Sequence, residues 1–164
     1  MLRVGILTVS DRSSRGERED AAGPVLAEAV RSAGMDVQWL AVVADEVDEI
    51  GTTLTSWADE KGADLILTTG GTGLSPRDVT PEATMSVIQK AVPGMAEAMR
   101  AASLLKTPHA MISRAVVGIR GRTLIVNLPG SPRAALENFE AVLPALDHAI
   151  AKIQGDPSEC ATTG

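Results

Sequence analysis

A short run of small polar residues, Thr-Gly-Gly-Thr-Gly at 69–73, has the chemistry of an anion-binding turn. We call it the glycine turn. Glycine tolerates positive φ and lets backbone N–H groups approach a phosphate or carboxylate, and threonine hydroxyls add further donors. The run is neither a Walker A loop nor the Gly-x-Gly-x-x-Gly fingerprint of dinucleotide-binding proteins. Taken alone, it is equally compatible with a purely structural turn. The candidate ligand-binding residues here are Thr69, Gly70, Gly71, Thr72 and Gly73.

Two aspartates stand where they could hold a divalent cation. Asp45 follows an apolar, strand-like run, and Asp78 lies two residues before Thr80, which we expect to cap a helix with Pro81 in its first turn. Each aspartate could simply start a helix or support a turn. Alternatively, both hold Mg²⁺ against phosphate oxygens, because an acidic protein without a P-loop lysine needs a cation to bind a polyphosphate. The residues alone leave both interpretations open.

Two further segments follow predicted strands and carry polar groups. Ser10 and Asp11 come directly after the first strand, and the run 127–132 comes after the last. The Pro-Gly-Ser-Pro part of that run also suits an ordinary strand-to-helix turn. The two histidines, His109 and His148, lack a set of metal-ligand partners, so we expect no zinc site. The candidate binding residues of the last segment are Asn127, Pro129, Gly130, Ser131 and Pro132.

The order of predicted elements explains how these segments could meet. Short apolar runs at 4–9, 37–43 and 63–68 predict buried strands, and helical spacing at 21–33 and 46–60 predicts helices between them. Strands that alternate with helices form a parallel sheet with helices on its faces. Because ligands bind beyond the carboxyl ends of such strands, we expect the candidate segments to converge on one rim of the sheet.

The second half of the chain adds helices and two antiparallel strands. Helices are predicted at 82–90, at 95–105 and from 132 to about 153, with a kink at Pro144. The β-rich runs 112–119 and 123–128 are joined by a short link that contains glycine. Such a link predicts a hairpin, so the sheet should be mixed.

Length and composition limit the class of protein. The chain has 164 residues, of which 45% are hydrophobic, and we expect one domain at 1–154 followed by a flexible C-terminal tail at 155–164. A net charge of −6, with two tryptophans and one phenylalanine as the only aromatic residues, argues against nucleic-acid binding. No apolar run reaches the roughly 18 residues of a membrane helix. One cysteine, Cys160, fits a reducing compartment, so we expect a cytoplasmic protein.

Several motifs occur together along nearly the whole chain. They are Val-Ser-Asp-Arg at 9–12, Asp45-Glu46, the glycine turn, Arg-Asp-Val-Thr-Pro-Glu at 77–82, Ser113-Arg114 and Asn-Leu-Pro-Gly-Ser-Pro at 127–132. Over about residues 2–153, this set resembles the molybdopterin adenylyltransferase family of molybdenum cofactor biosynthesis. The combination of the glycine turn with the Arg-Asp-Val-Thr-Pro motif is highly specific.

The resemblance implies a fold, a reaction and partners. The fold would be a three-layer α/β/α sandwich with a mostly parallel sheet and an antiparallel edge hairpin, usually assembled as a homotrimer. The reaction would be Mg²⁺-dependent adenylyl transfer from ATP to molybdopterin, and a downstream molybdenum-insertion protein would receive the adenylylated product. Asp45 and Asp78 match the family's functional aspartates, which makes them the expected catalytic residues and Mg²⁺ ligands. The substrate contacts match Ser10 and Asp11, the glycine turn and the 127–132 loop.

Three alternatives remain at this stage. A paralogue in the same pathway could bind the pterin without adenylylating it, although the two aspartates favour an enzyme. A structural assembly module is a second possibility, but the chain offers no second domain or long linker for that task. A generic flavodoxin-like nucleotide binder would leave the coincidence of the three loops unexplained.

Overall fold

The predicted strands form one mixed sheet in the computed structural model, which describes residues 1–158. Part of the predicted tail, at 159–164 and including Cys160, lies outside the described residues. The strand order is β2-β1-β3-β6-β5-β4, and the first four are parallel while β5 and β4 run antiparallel to their neighbours. The strands are β1 (Arg3–Val9), β2 (Asp36–Val43), β3 (Leu65–Thr69), β4 (Lys90–Ala91), β5 (Val117–Arg120) and β6 (Thr123–Leu128).

Helices cover both faces of this sheet, which gives the expected three layers. They are α1 (Asp11–Ser14), α2 (Ala22–Ser32), α3 (Val47–Thr55), α4 (Thr80–Val87), α5 (Pro93–Leu104) and α6 (Pro132–Ile153). A π-helical turn at Ser56–Glu60 extends α3, and a 3₁₀ turn at Pro108–Ile112 follows α5. Across residues 1–158, none of the helices combines the length and the apolar character that a membrane span requires.

The apolar strands are buried on both faces. Successive side chains of a strand point to opposite sides, and helices cover each side of the sheet. Ile6, Leu67 and Val126 belong to one core cluster, against α2, α5 and α6, where Phe139 is the largest buried side chain. The intervening residues of the same strands belong to the other cluster, against α3 and α4. They include Leu7, Ile66 and Ile125.

Strand register places the ends of the parallel strands at one level. Val9 pairs with Val43 across β1 and β2, Thr8 pairs with Thr69 across β1 and β3, and Thr69 pairs with Leu128 across β3 and β6. The segments that leave these four strands therefore begin side by side. This confirms two predictions. The sheet is mostly parallel, and the candidate segments leave its parallel strands at one rim.

The structure corrects the sequence expectation in the second half of the chain. The run 112–119 is not one strand, since only Val117–Arg120 pairs as β5. Its first residues bond elsewhere: Arg114 N–H donates to Thr72 O, and Val116 N–H donates to the Asn127 side chain. The helix expected at 82–90 starts and ends earlier, because residues 90–91 pair with β5 as a short edge strand. Pro144 lies inside a helix that continues to Ile153.

Candidate active site

The carboxyl ends of the four parallel strands open into one cleft of about 940 Å³. Its walls come from the segments after β1, β2, β3 and β6, which are far apart in sequence. Ten of the fourteen sequence-predicted site residues line it: Ser10, Asp11, Asp45, Thr69, Gly70, Gly71, Asp78, Gly130, Ser131 and Pro132. Asp45 and Asp78, which are 33 positions apart in the chain, therefore face the same space.

The glycine turn needs glycine at its second and third positions, Gly70 and Gly71. Gly70 has φ +102° and Gly71 has φ +67°, a region that side chains with a Cβ rarely adopt. A Cβ at Gly70 would overlap the Val9 carbonyl oxygen of the neighbouring strand, and Gly70 N–H donates to Leu128 O at 3.1 Å. The turn is thus wedged between the ends of β1 and β6, where a larger residue would not fit.

Thr80 fastens the start of α4 to the glycine turn. Its hydroxyl donates to Gly70 O at 2.9 Å, and its N–H donates to Gly71 O at 3.1 Å. The expectation that Thr80 caps α4 through its side chain is therefore wrong, because the hydroxyl is engaged outside the helix. Thr80 is fully buried, and the contact fixes where Asp78 enters the cleft.

Asp45 and Asp11 hold each other by two reciprocal hydrogen bonds. Asp11 N–H donates to Asp45 Oδ2 at 2.8 Å, and Asp45 N–H donates to Asp11 Oδ1 at 3.0 Å. Arg77 then binds both carboxylate oxygens of Asp11, each at 3.0 Å, and reaches Glu46 at 2.7 Å. The backbone N–H of Asp11 thus orients the Asp45 carboxylate, while the Asp11 carboxylate is bound by Arg77.

These contacts give the two carboxyl groups opposite electrostatic environments. The Arg77 guanidinium lowers the pKa of Asp11, and the N–H of Asp45 adds to this effect. Burial raises the pKa of Asp45 above its ordinary value of 3.8, and the charges of Asp11 and Asp78 raise it further. Asp45 therefore carries a carboxylate whose negative charge is only partly compensated within the protein.

The serines at the cleft cap helices. Ser10 accepts a hydrogen bond from Ser13 N–H and begins α1, and Ser131 accepts one from Ala134 N–H and begins the 22-residue helix α6. Ser131 and Pro132 therefore place the positive end of the α6 dipole at the cleft beside Gly130.

Three predicted residues line a second, smaller cavity instead. Thr72, Gly73 and Pro129 face a space of about 250 Å³ between the glycine turn, α5, the 3₁₀ turn and α6. Arg100, Ser103 and Asn138 contribute polar groups to the same space. The glycine turn separates the two cavities, with Gly70 and Gly71 on one side and Thr72 and Gly73 on the other.

Asn127 lines neither cavity, since its side chain is fully buried in the protein. Its amide group donates to the hydroxyls of Thr68 and Thr84, and its carbonyl oxygen accepts from Val116 N–H. The side chain thus ties β6 to β3, α4 and the segment before β5. That it contacts a substrate stays a prediction.

Asp20 and Arg114 are polar residues of the site region that the fourteen predicted site residues do not include. Asp20 lines the cleft, accepts from the Thr8 hydroxyl at 2.8 Å and accepts from Gly23 N–H at the start of α2. An acidic residue just before a helix was the available signal. Arg114 binds the segment that carries Asp78. Within residues 1–158, no three His, Cys, Asp or Glu side chains are arranged to hold a metal by themselves.

The fold and site define an α/β protein with a cleft at its strand ends, lined by a glycine turn, a helix N-terminus and two aspartates. The family model described as "probable molybdopterin binding domain" matches residues 5–148. The chain belongs to this molybdopterin-binding domain family.

Curated relatives and solved structures agree with this assignment. The molybdopterin adenylyltransferase of Helicobacter pylori is 43% identical over 157 residues, which cover 94% of this chain and 89% of that protein. The enzyme of the same name from Escherichia coli is 43% identical over 146 residues, 88% of this chain and 75% of the relative. The crystal structure of the molybdopterin biosynthesis enzyme MoaB from Thermus thermophilus is 53% identical, with a TM-score of 0.90, and covers 97% of this chain and 100% of its own.

Proposed function

We propose that this chain is a molybdopterin adenylyltransferase of molybdenum cofactor biosynthesis, which transfers AMP from ATP to molybdopterin and releases pyrophosphate. The observation that carries the proposal is the meeting of Asp45, Asp78 and the glycine turn in one cleft of a chain from this family. Two aspartates facing the same space beside the turn can hold a divalent cation against phosphate oxygens, which adenylyl transfer uses and pterin binding alone does not require.

The reaction is an in-line displacement at phosphorus. A terminal phosphate oxygen of molybdopterin attacks the α-phosphorus of ATP, a new P–O bond forms, and the bond to the bridging oxygen of the β-phosphate breaks. The protein supplies little covalent chemistry and acts by positioning the two anions and stabilising their charge. Backbone N–H groups of the glycine turn and the positive end of the α6 dipole are suited to hold phosphate oxygens.

Asp45 and Asp78 fit a magnesium ion, and we assign its binding to them. Mg²⁺ is usually held by one or two carboxylates and completes its shell with water and substrate phosphates, so a larger set of protein ligands is not needed. The raised pKa of Asp45 agrees with this role, because a cation would offset the repulsion from Asp11 and Asp78. When bound, the ion would screen the repulsion between the two anionic substrates and stabilise the leaving pyrophosphate.

The two cavities suit the two substrates differently. The larger cleft holds the aspartates and both anion-binding elements, so we assign it to the triphosphate and the reacting phosphate. The smaller cavity combines apolar surface with hydrogen-bonding side chains, among them Arg100, Ser103 and Asn138, which suits a flat heterocycle such as a pterin. The shared glycine turn would then lie between the two reactants.

Replacing Asp78 with asparagine tests the assignment. We expect Asp78→Asn to reduce pyrophosphate release from ATP, Mg²⁺ and molybdopterin by about 100-fold or more, because removing one electrostatic group from such a site has effects of this size. Molybdopterin binding should change little, since the pterin lies in the other cavity. The matched control is Asp36→Asn, at the amino end of β2, whereas the cleft lies at the carboxyl ends of the parallel strands. Wild-type protein that binds molybdopterin without releasing pyrophosphate would identify a binding paralogue instead.

We also propose the partners that the family resemblance implies. The protein would be a cytoplasmic homotrimer that passes adenylylated molybdopterin to a molybdenum-insertion protein. Exposed apolar side chains after α5, where Leu105 is 90% and Met111 is 68% exposed, support an interface between copies. Light scattering on the purified chain measures the assembly, and a stable monomer would contradict it.

A further inference from the structure

The segment between the glycine turn and α4 carries Asp78 but has little structure of its own. Residues 74–77 are exposed and form no helix or strand. Asp78 is held locally by Ser75, whose N–H donates to Asp78 Oδ2 at 3.0 Å. We propose that Arg114 is a positioning residue, which fixes this segment against the glycine turn and so places Asp78 in the cleft. The catalytic consequence rests on the proposed function.

The Arg114 guanidinium binds both ends of the segment at once. Its Nε donates to Gly73 O at 2.8 Å, and its Nη2 donates to Asp78 O at 2.8 Å. Its Nη1 donates to both carboxylate oxygens of Glu82, at 2.6 and 2.9 Å, in the first turn of α4. One planar cation therefore joins the end of the glycine turn, the backbone of Asp78 and the helix that follows.

Arg114 can act as a fixed point because its own backbone is tied down. Its N–H donates to Thr72 O at 2.9 Å. Arg100 of α5 donates to the carbonyl oxygens on either side, at 2.9 Å to Ala115 and 3.4 Å to Ser113. Val116 is anchored to β6 through the buried Asn127. The residues just before β5, which are bonded to α5 and β6, thus support the irregular segment that carries Asp78.

This arrangement also joins the two cavities. Arg100 and Ser113 line the smaller cavity, while the carbonyl that Arg114 binds belongs to Asp78 of the larger cleft. Only the guanidinium fork can serve all three acceptors, since a lysine ammonium is a single point with no fixed planar geometry. The charge of lysine alone should therefore not restore the position of Asp78.

The test compares Arg114→Gln with Arg114→Lys and with a matched control, Arg120→Gln. Arg120 makes the same kind of contacts, two with the Asp59 carboxylate and one with Val87 O, and is similarly exposed, 23% against 36% for Arg114. Amide hydrogen exchange of the 73–80 peptide measures the order of the segment without any substrate. Steady-state kinetics of pyrophosphate release then gives kcat and the KM for molybdopterin of each variant.

We expect Arg114→Gln to speed exchange in the 73–80 peptide by at least about tenfold, because charge-assisted hydrogen bonds close this segment. It should lower kcat by about 10–100-fold with little change in the KM for molybdopterin, since the displaced Asp78 belongs to the cleft that we assign to the triphosphate. Arg114→Lys should restore only part of the lost kcat and only part of the slow exchange. Arg120→Gln should change neither kcat nor exchange in the 73–80 peptide. Unchanged exchange in Arg114→Gln would overturn the inference whatever the activity. An inactive wild type would refute the proposed function, and the exchange result would still decide the role of Arg114.

Discussion

Replacing Gly71 with alanine tests whether the glycine turn is packed against the site as described. Gly71 has φ +67°, and a Cβ there would overlap the Thr80 hydroxyl and lie 3.1 Å from Asp45 Oδ1. The substitution therefore meets two obstacles. The positive φ costs about 1–2 kcal/mol for a residue with a Cβ, and forcing an extra methyl group into a packed place costs a further 1–3 kcal/mol or so.

Gly34→Ala is the matched control, because it isolates the backbone effect. Gly34 has φ +81° in the turn between α2 and β2, and a Cβ there would meet nothing within 4 Å. We expect it to lower the free energy of unfolding by about 1–2 kcal/mol, and Gly71→Ala to lower it by about 2–5 kcal/mol. Urea unfolding followed by tryptophan fluorescence measures both.

Activity separates the two variants more sharply than stability does. A methyl group at Gly71 must displace Thr80 or Asp45, and a shift of about 1 Å in such a group can reduce turnover about 100-fold. Gly34→Ala should leave turnover unchanged at a temperature where both variants are folded. If the two variants were equally stable and equally active, the packing of the glycine turn against Thr80 and Asp45 would be refuted.

Two further substitutions test the electrostatics and the support of the site. Since the pKa of Asp45 is raised in the folded protein, its ionised form weakens folding above that pKa and the effect disappears as the pH falls through it. Asp45→Asn should therefore raise the thermal midpoint at pH 7, and the gain should shrink towards pH 3; a gain that grows in acid would contradict the assigned cause. Asn127→Ala removes the partner of the buried Val116 N–H and of two threonine hydroxyls, so we expect a loss of about 2–4 kcal/mol in urea unfolding. Unchanged stability would show that this residue does not tie β6 to its neighbours.

The elements near the site followed from local patterns with good accuracy, and the failures have physical causes. The buried strands 4–9 and 123–128 are visible as apolar runs, because a strand covered on both faces has few polar positions. The run 112–119 is also rich in valine and isoleucine but forms a strand only from Val117 onwards. Its earlier backbone groups bond to Thr72 and Asn127, partners that no local pattern reveals.

The roles of individual polar residues were harder to predict than their positions. Asp11 and Asp45 both follow strands, and the sequence places both at the rim. Only the contact with Arg77, 66 positions away from Asp11, shows that the Asp11 side chain is occupied while Asp45 is left with partly uncompensated charge. Asn127 belongs to the same motif as Ser131, yet it points into the core while Ser131 lies at the cleft.

The sequence by itself determined the strand ends, the glycine turn and the family, because apolar periodicity and short motifs are properties of neighbouring residues. Tertiary structure alone decided which side chains share a cavity, which carboxylate is neutralised and that Arg114 binds the Asp78 segment. Those outcomes depend on hydrogen bonds between residues 34 to 66 positions apart, such as Asp11 with Asp45, Arg114 with Asp78 and Arg77 with Asp11. Such bonds form only when the sheet brings the ends of its strands together.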